Sequence, residues 1–286
     1  MANNIHPTAV VSPAAHLGNR ITIGPFAIVE EDVQLGDDCI VAGRATVKRG
    51  AILGADNEIG EGAVVGGRPQ HAKITNLFGA VRIGQGNRIR ENATIHAAME
   101  KGKFTVIGDY NLLMVNSHVG HDSILGNHTI IVNNVMLGGH TVIEDRAYLG
   151  GAAGVHQFCR VGRHAMVGGQ AHIVQDVPPF VTVDGGTSRV VGLNRIGLRR
   201  HGFTDEQMNQ LKQAYRVMYR SGMTWTEVIA TLQKTFHEGP AAVLAPFLAV
   251  GRRGFVQERR VPRTATLRIP DQLEADETPK GLRRVG

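Results

Sequence analysis

Val119-Gly120-His121-Asp122-Ser123-Ile124 is one six-residue unit in a run of such units, and its first position decides the fold. Steps of six from that valine, back to Ile5 and on to Ile173, pass through 29 positions, and 27 of them are Ile, Leu or Val; the exceptions are His71 and Lys101. Glycine often comes next, as at Gly18, Gly24, Gly36, Gly120, Gly126, Gly138, Gly150 and Gly168. A helix repeats every 3.6 residues and a half-buried strand every 2, so neither sustains a strict six. Self-similarity at six residues is the signature of a parallel β-helix. Three units make one triangular turn, and the aliphatic positions stack inward as ladders. A β-sandwich with regular strands does not generate this pattern.

Composition agrees. The chain has 286 residues and only 5% aromatics, which suits an interior too narrow for large rings. Its formal charge of +6 favours an acidic partner, a phosphorylated substrate or an acidic protein before a nucleic acid. Much of the excess lies outside the repeat, at Arg199, Arg200, Arg252, Arg253, Arg259, Arg260, Arg283 and Arg284, where a solubilising surface accounts for it equally well. Cys39 and Cys159 are the only cysteines and both fall inside repeat units, which fits a reducing compartment rather than a disulfide scaffold. No basic-then-apolar leader precedes the repeat and no apolar run is long enough to span a bilayer, so a cytoplasmic protein without stable membrane insertion is expected.

In chain order, residues 1–180 read as the β-helix, 181–256 as a small α-helical cap, and 257–286 as a disordered tail. Two stretches, 71–82 and about 100–106, fit the repeat poorly and read as loops extruded from corners, the usual place for binding residues on a rigid scaffold. Pro178-Pro179 stop the ladder. A short basic helix follows over Asn194 to His201. Thr204-Asp205-Glu206-Gln207 and Thr224-Trp225-Thr226-Glu227 are capping boxes that open two more helices. A third apolar segment runs from Ala241 to Val250. Past Val256, mixed charge and scattered proline point to disorder.

Turns of a β-helix stack at about 4.8 Å, so positions three units apart lie above one another. One turn above His121 is Gly139, and one further is Gln157; one turn above Asp122 is His140. His118, His121, His140 and His156 are therefore expected to converge on one wall. Seven of the 13 histidines lie between residues 118 and 172, a density that core packing does not require. Three readings suit such a patch. One is general-base catalysis by an imidazole poised near neutral pH, with Asp122 holding its tautomer and Gly139 offering a bare N–H to a developing oxyanion. Another is a zinc site, since three neutral imidazoles bind that metal. The last is phosphate binding, or a shaped surface. Spacing ranks base catalysis first.

Several segments carry a family resemblance: Ile89-Arg90-Glu91-Asn92-Ala93-Thr94-Ile95-His96, Ser117-His118-Val119-Gly120-His121-Asp122, Leu137-Gly138-Gly139-His140, Val155-His156-Gln157-Phe158-Cys159, Met166-Val167-Gly168-Gly169 and Gln175-Asp176-Val177-Pro178-Pro179. Together they strongly resemble the UDP-N-acetylglucosamine O-acyltransferases, which begin lipid A synthesis. The similarity spans about residues 5–250. The related N-acyltransferase of that pathway carries a further N-terminal domain, whereas this chain enters the repeat at Ile5.

The resemblance implies a left-handed β-helix, an exception to the usual right-handed crossover, assembled as a homotrimer with active sites between subunits. It implies transfer of a 3-hydroxyacyl chain from acyl carrier protein to the sugar 3-hydroxyl, with no metal and no other cofactor. His121 matches the family's general base, Asp122 its orienting acid and Gly139 its oxyanion donor. His118, His140, His156 and Gln157 match residues around the sugar and acyl groups, Lys73 a sugar contact on the first loop, and Asn194 and Arg200 nucleotide contacts from the cap. Gly169 sits where the family gates acyl length, and a glycine there implies a deep groove for a long chain. Two positions depart from the pattern: His71 and Ile196 stand where the family has acids facing the sugar nucleotide. The 3-amino sugar analogue, giving an amide, is therefore the alternative acceptor. The alternative from another class is a zinc-dependent, carbonic-anhydrase-like hydratase, also built on a hexapeptide β-helix.

Overall fold

A computed structural model describes residues 2–74 and 77–259. The chain winds as a left-handed parallel β-helix of about 10 turns, followed by a helical cap. Its three walls are sheets of 11, 9 and 8 short strands, beginning with Asn4–Ile5, Val10–Val11 and His16–Leu17. The second residue of most strands is the aliphatic one, and it points inward: Ile23, Val29, Leu35, Val119, Leu125 and Leu137 are each at most 3% exposed. Isoleucine and leucine are the largest side chains fully enclosed in the coil, in keeping with its narrow bore. Successive turns pair in register, Val119 on Leu137 and Leu125 on Ile143, so each backbone amide bonds the turn beside it.

The corners carry a feature the six-residue period does not reveal. At most of them the second residue adopts the left-handed conformation, including Asn116, Asp122, His128, Asn134, His140, Arg146 and Phe158, with φ between 55° and 66°. Such residues turn the chain sharply and recur every six positions.

Two loops interrupt the coil, and both leave it between the second and third walls. They show in the register: Glu58 pairs with Arg88, and Thr94 with His118. Those turns are five and four hexapeptide units long, where the ordinary turn has three. The insertions are therefore whole multiples of the repeat, which is why its phase survives them. They are shorter than the sequence pattern indicates: residues 80–82 and 104–106, expected in loops, belong to the paired strands Ala80–Ile83 and Phe104–Ile107.

The prolines end two walls but not the third. Val181–Val183, expected in the cap, still pairs with the coil strand Met166–Val167, and Val190–Leu193 closes the sheet antiparallel to it. Among the described residues four α-helices follow: α1 (Arg195–Arg200), α2 (Asp205–Arg220), α3 (Trp225–Thr235) and α4 (Leu244–Ala249). Both capping boxes form as the sequence indicates, Thr204 with Gln207 and Thr224 with Glu227. The apolar faces of α2 to α4 bury Met208, Leu211, Val228, Leu232, Leu244 and Phe247 in a second core. Arg160 ties coil to cap, pairing with the buried Asp176 and donating to the carbonyl of Phe247. Residues 257–259, expected in the tail, pair with the strand Val190–Leu193 instead. Gln257 to Arg259 run along Val190, which donates to the Gln257 carbonyl and accepts from the Arg259 N–H. The rest of the expected disordered tail lies outside the described residues. Among the described residues, no helix is long and apolar enough to cross a membrane.

Neighbouring residues of one strand give a test of this packing. Leu125→Ala, at 1% exposed, should cost about 2–5 kcal/mol of unfolding free energy. Ile124→Ala, at 48% exposed, should cost less than about 1 kcal/mol. Denaturant titration of the two variants measures both.

Candidate active site

The corner between the second and third walls brings together residues from three successive turns. His121 is buried, and its Nδ1 lies 2.8 Å from Oδ2 of Asp122. A carboxylate can only accept, so Nδ1 carries the proton and the Nε2 lone pair is left free. Asp122 is itself held in place. The Met99 N–H, on the second extruded loop, donates to its carboxylate at 3.1 Å, and its own N–H donates to Thr105 Oγ1 at 2.8 Å.

One turn on, Gly139 leaves the imidazole uncovered. A Cβ there would sit 2.6 Å from Cε1 and 2.7 Å from Nε2 of His121, closer than real contacts allow. Any other residue would displace the ring or cover its free nitrogen. The Gly139 N–H has no acceptor among the described residues. At Gly-X corners between the third and first walls that amide is taken by a side chain one turn on: Asn19 donates to Asp37, Asp109 to Asn127 and Asn127 to Asp145, at 2.7–2.8 Å. A free imidazole nitrogen beside a free amide N–H can remove a proton and stabilise a new negative charge in the same place.

Other imidazoles surround this pair. His140 stands edge-on to His121 with centroids 5.1 Å apart, stacks on Phe158 and approaches Asp122 Oδ2 at 3.8 Å. His118 pairs its Nδ1 with Thr94 Oγ1 at 2.9 Å. Burial, with His96 and His121 adding repulsion, lowers its pKa to about 4. Gln157 lines the same cavity of about 330 Å³, together with Gln70, His71 and His96. His121, Asp122 and His140 also place three donor atoms within 4.8 Å of one another, close enough to hold a metal ion, although His121 Nδ1 and Asp122 already satisfy each other there.

The expected set therefore gathers in part. His118, His121, Asp122, Gly139, His140 and Gln157 meet. His156 is exposed beside them, its Nδ1 3.1 Å from the carbonyl of Gln157. Lys73 is exposed on the first loop, and its N–H donates to His71 Nδ1 at 3.1 Å. Gly169, Asn194 and Arg200 lie elsewhere on the same chain. Gly169 follows Gly151 on another corner, where a Cβ would stand 3.1 Å from the Gly151 carbonyl oxygen. Asn194 caps α1 and donates to the His164 carbonyl at the third corner, while Arg200 is exposed at the end of α1.

Two further imidazoles line the site without a role assigned to them from sequence. His96 lies 5.1 Å from His118, with its Nδ1 2.6 Å from the Arg68 carbonyl, and burial lowers its pKa. His71 stands edge-on to His121 at 5.7 Å. Counting back from the site histidines misses His96: four units before His118 is its pairing partner Thr94, and His96 falls in line with Gly120 instead.

Profiles of two known families match the chain: one described as bacterial transferase hexapeptide repeats over residues 104–139, and one as UDP N-acetylglucosamine O-acyltransferase, domain 2, over residues 176–256. Similar curated proteins carry the name acyl-[acyl-carrier-protein]–UDP-N-acetylglucosamine O-acyltransferase. That of Paraburkholderia phymatum is 37% identical over 89% of this chain and all of its own length; that of Verminephrobacter eiseniae is 41% identical over the same shares. The crystal structure of the UDP-N-acetylglucosamine acyltransferase of Francisella novicida superposes with a TM-score of 0.86 at 33% identity, covering 96% of this chain and all of that one. The enzyme of Acinetobacter baumannii gives 0.85 at 34% identity, covering 88% and 99%.

The lowered imidazoles fix the sign of a pH effect. His118 titrates at about 4 when folded, as does His164, which burial and the neighbouring His201, Arg146 and Arg163 push down. An unfolded imidazole titrates near ~6.5. Between these values the unfolded state binds more protons, so this stabilisation is complete above about pH 6.5 and is lost as pH falls towards 4. Melting temperature should hold steady above neutrality and fall across that window. His164→Gln should flatten the slope; an unchanged slope would show that this histidine carries none of it.

Proposed function

The chain belongs to the UDP-N-acetylglucosamine O-acyltransferase family, and on that premise we propose that it transfers a 3-hydroxyacyl chain from acyl carrier protein to the 3-hydroxyl of UDP-N-acetylglucosamine, the first step of lipid A biosynthesis. The observation that carries this reading is the free Nε2 of His121 beside the unpaired N–H of Gly139. In this scheme Nε2 takes the hydroxyl proton while the sugar oxygen attacks the thioester carbonyl carbon. The new C–O bond forms as the carbonyl π electrons move to oxygen, where the Gly139 N–H stabilises them. Collapse then breaks the C–S bond, and the departing carrier thiolate takes the proton back from His121. Asp122 keeps the imidazole in the required tautomer and faces the positive charge it gains.

His118, His140, His156, Gln157 and Lys73 are assigned to holding the sugar and acyl groups around this point. Gly169 sits on another corner of the coil, and Asn194 and Arg200 sit on α1 beside the third corner, so they serve this site from a neighbouring copy. That division supports a homotrimer with sites between subunits. A cavity of about 330 Å³ supports it too, because it holds a sugar-sized group and leaves the nucleotide and acyl chain to the adjoining surface. The reaction so described requires neither metal nor other cofactor, and a cytoplasmic enzyme meets both of its soluble substrates.

His121→Ala should lower kcat by ~10²–10⁴ with near-normal folding. Activity within a few-fold of wild type would reject the assignment. Mass spectrometry of product from UDP-N-acetylglucosamine, its 3-amino analogue and a panel of acyl carrier thioesters identifies acceptor and chain length, with the ester expected as the main product. Activity should survive exhaustive chelation, and loss with recovery on zinc would favour a metal enzyme. Light scattering should give three times the chain mass.

A further inference from the structure

The inner face of the site corner differs from the same position on other turns. Following the register through the third wall, the inward residue behind this corner is Val33, Ala51 and Val81, then Thr105, Ser123 and Thr141, then Cys159. All are essentially fully buried. Three hydroxyls therefore stand in an otherwise apolar column, directly behind Asp122, Gly139 and His140. A buried hydroxyl costs stability unless it is hydrogen-bonded, and these three are bonded to specific groups.

Thr105 accepts from the Asp122 N–H. The Ser123 hydroxyl lies 3.2 Å from the carbonyl oxygen of Gly138 and 2.9 Å from the Thr141 hydroxyl. A carbonyl cannot donate, so Ser123 spends its proton on Gly138 and accepts the proton of Thr141. No other donor reaches the Gly138 oxygen among the described residues. The turn bond that closes other corners, such as Ala153 N–H to Gly150 and Cys159 N–H to His156, is not made by Thr141 to Gly138.

We infer that Ser123 is a positioning residue for the oxyanion: its hydroxyl holds the Gly138–Gly139 peptide with the carbonyl inward and hence the Gly139 N–H outward, and Thr141 orients that hydroxyl. The peptide unit is planar and trans, so its C=O and N–H point in opposite directions. Fixing one fixes the other. The bond lies between two glycines, whose backbones rotate with little steric penalty. Local sterics therefore do not choose between the outward N–H and a flipped peptide presenting a carbonyl to the oxyanion. The buried hydroxyl makes that choice. This inference rests on the acyl-transfer reading above and specifies what preorganises its amide.

The test uses the full-length enzyme with both substrates. Ser123→Ala removes the donor, and kcat should fall at least about tenfold, less than the ~10²–10³ of losing an oxyanion donor outright. KM for either substrate should stay within about twofold, and the pH midpoint of kcat/KM should not move, because His121 and Asp122 are untouched. Ser123→Thr keeps the hydroxyl at a position whose column neighbours are already threonines, and should recover kcat to within about threefold. Thr141→Val keeps shape and removes the donor to Ser123, so it should give a smaller loss of kcat; it serves as the test if Ser123→Ala does not fold. Unchanged kcat in Ser123→Ala, a shifted pH midpoint, or equal losses in Ser123→Ala and Ser123→Thr would overturn the inference. Failure of the acyl-transfer reading looks different, because wild-type protein would then form no product.

Discussion

Every feature of the site depends on backbone pairing between one turn of the coil and the next. Parallel strands in register hold equivalent positions at ladder spacing, and the inward aliphatic residues penalise a slip of one residue by turning a whole wall inside out. His121, Gly139 and Gln157 are thereby stacked without any side chain having to find another. The insertions respect this constraint. As whole hexapeptide units they lengthen a turn without shifting the aliphatic phase, and both emerge at the corner where the reacting groups sit. From there the second loop reaches Asp122 through Met99 N–H, and the first brings His71 to the edge of His121.

How far the sequence can be read follows from the same geometry. Between His121 and His140 nothing is inserted, so counting three units per turn places the imidazole, the acid and the bare glycine correctly against one another. The cap helices are legible for a different reason: a Thr followed three residues later by Gln or Glu satisfies two orphan amides within four residues of chain, a local event that needs no tertiary knowledge. His96 escapes because it lies in line with Gly120, so no count from another site histidine reaches it. Met99 escapes because a backbone amide leaves no mark in a sequence, and Thr105 because a hydroxyl at an inward position does not name its partner. Gly169 and Asn194 carry an acyl-length gate and a nucleotide contact through family likeness, and each sits away from the histidines on a corner that one coil cannot bend towards them. For Gly169 the count itself shows this, since it lies five units beyond Gly139 and three make a turn.

The site also has two electrostatic zones. Burial keeps His118 and His96 uncharged towards neutrality, and each binds a neutral oxygen, the Thr94 hydroxyl and the Arg68 carbonyl. His121 alone among these is bonded to a carboxylate. Two of the site's imidazoles are thus held against protonation by burial, while the Nδ1 proton of His121 faces a carboxylate oxygen at 2.8 Å. Crowding of like residues has separated their roles.

The His121–Asp122 bond itself requires explanation, since consecutive residues in extended chain point to opposite faces and cannot meet. Asp122 is at φ +58°, in the left-handed corner conformation. There the alternation breaks, and two neighbours can direct side chains to the same side. Aspartate and asparagine tolerate this conformation better than most residues, so the acid occupies a position it enters at little cost. The Thr105 hydroxyl then fixes the corner by accepting its N–H. A turn that exists to bend the coil thus also lets an imidazole be oriented by its own neighbour in sequence, where other folds must bring an acid from a distant strand.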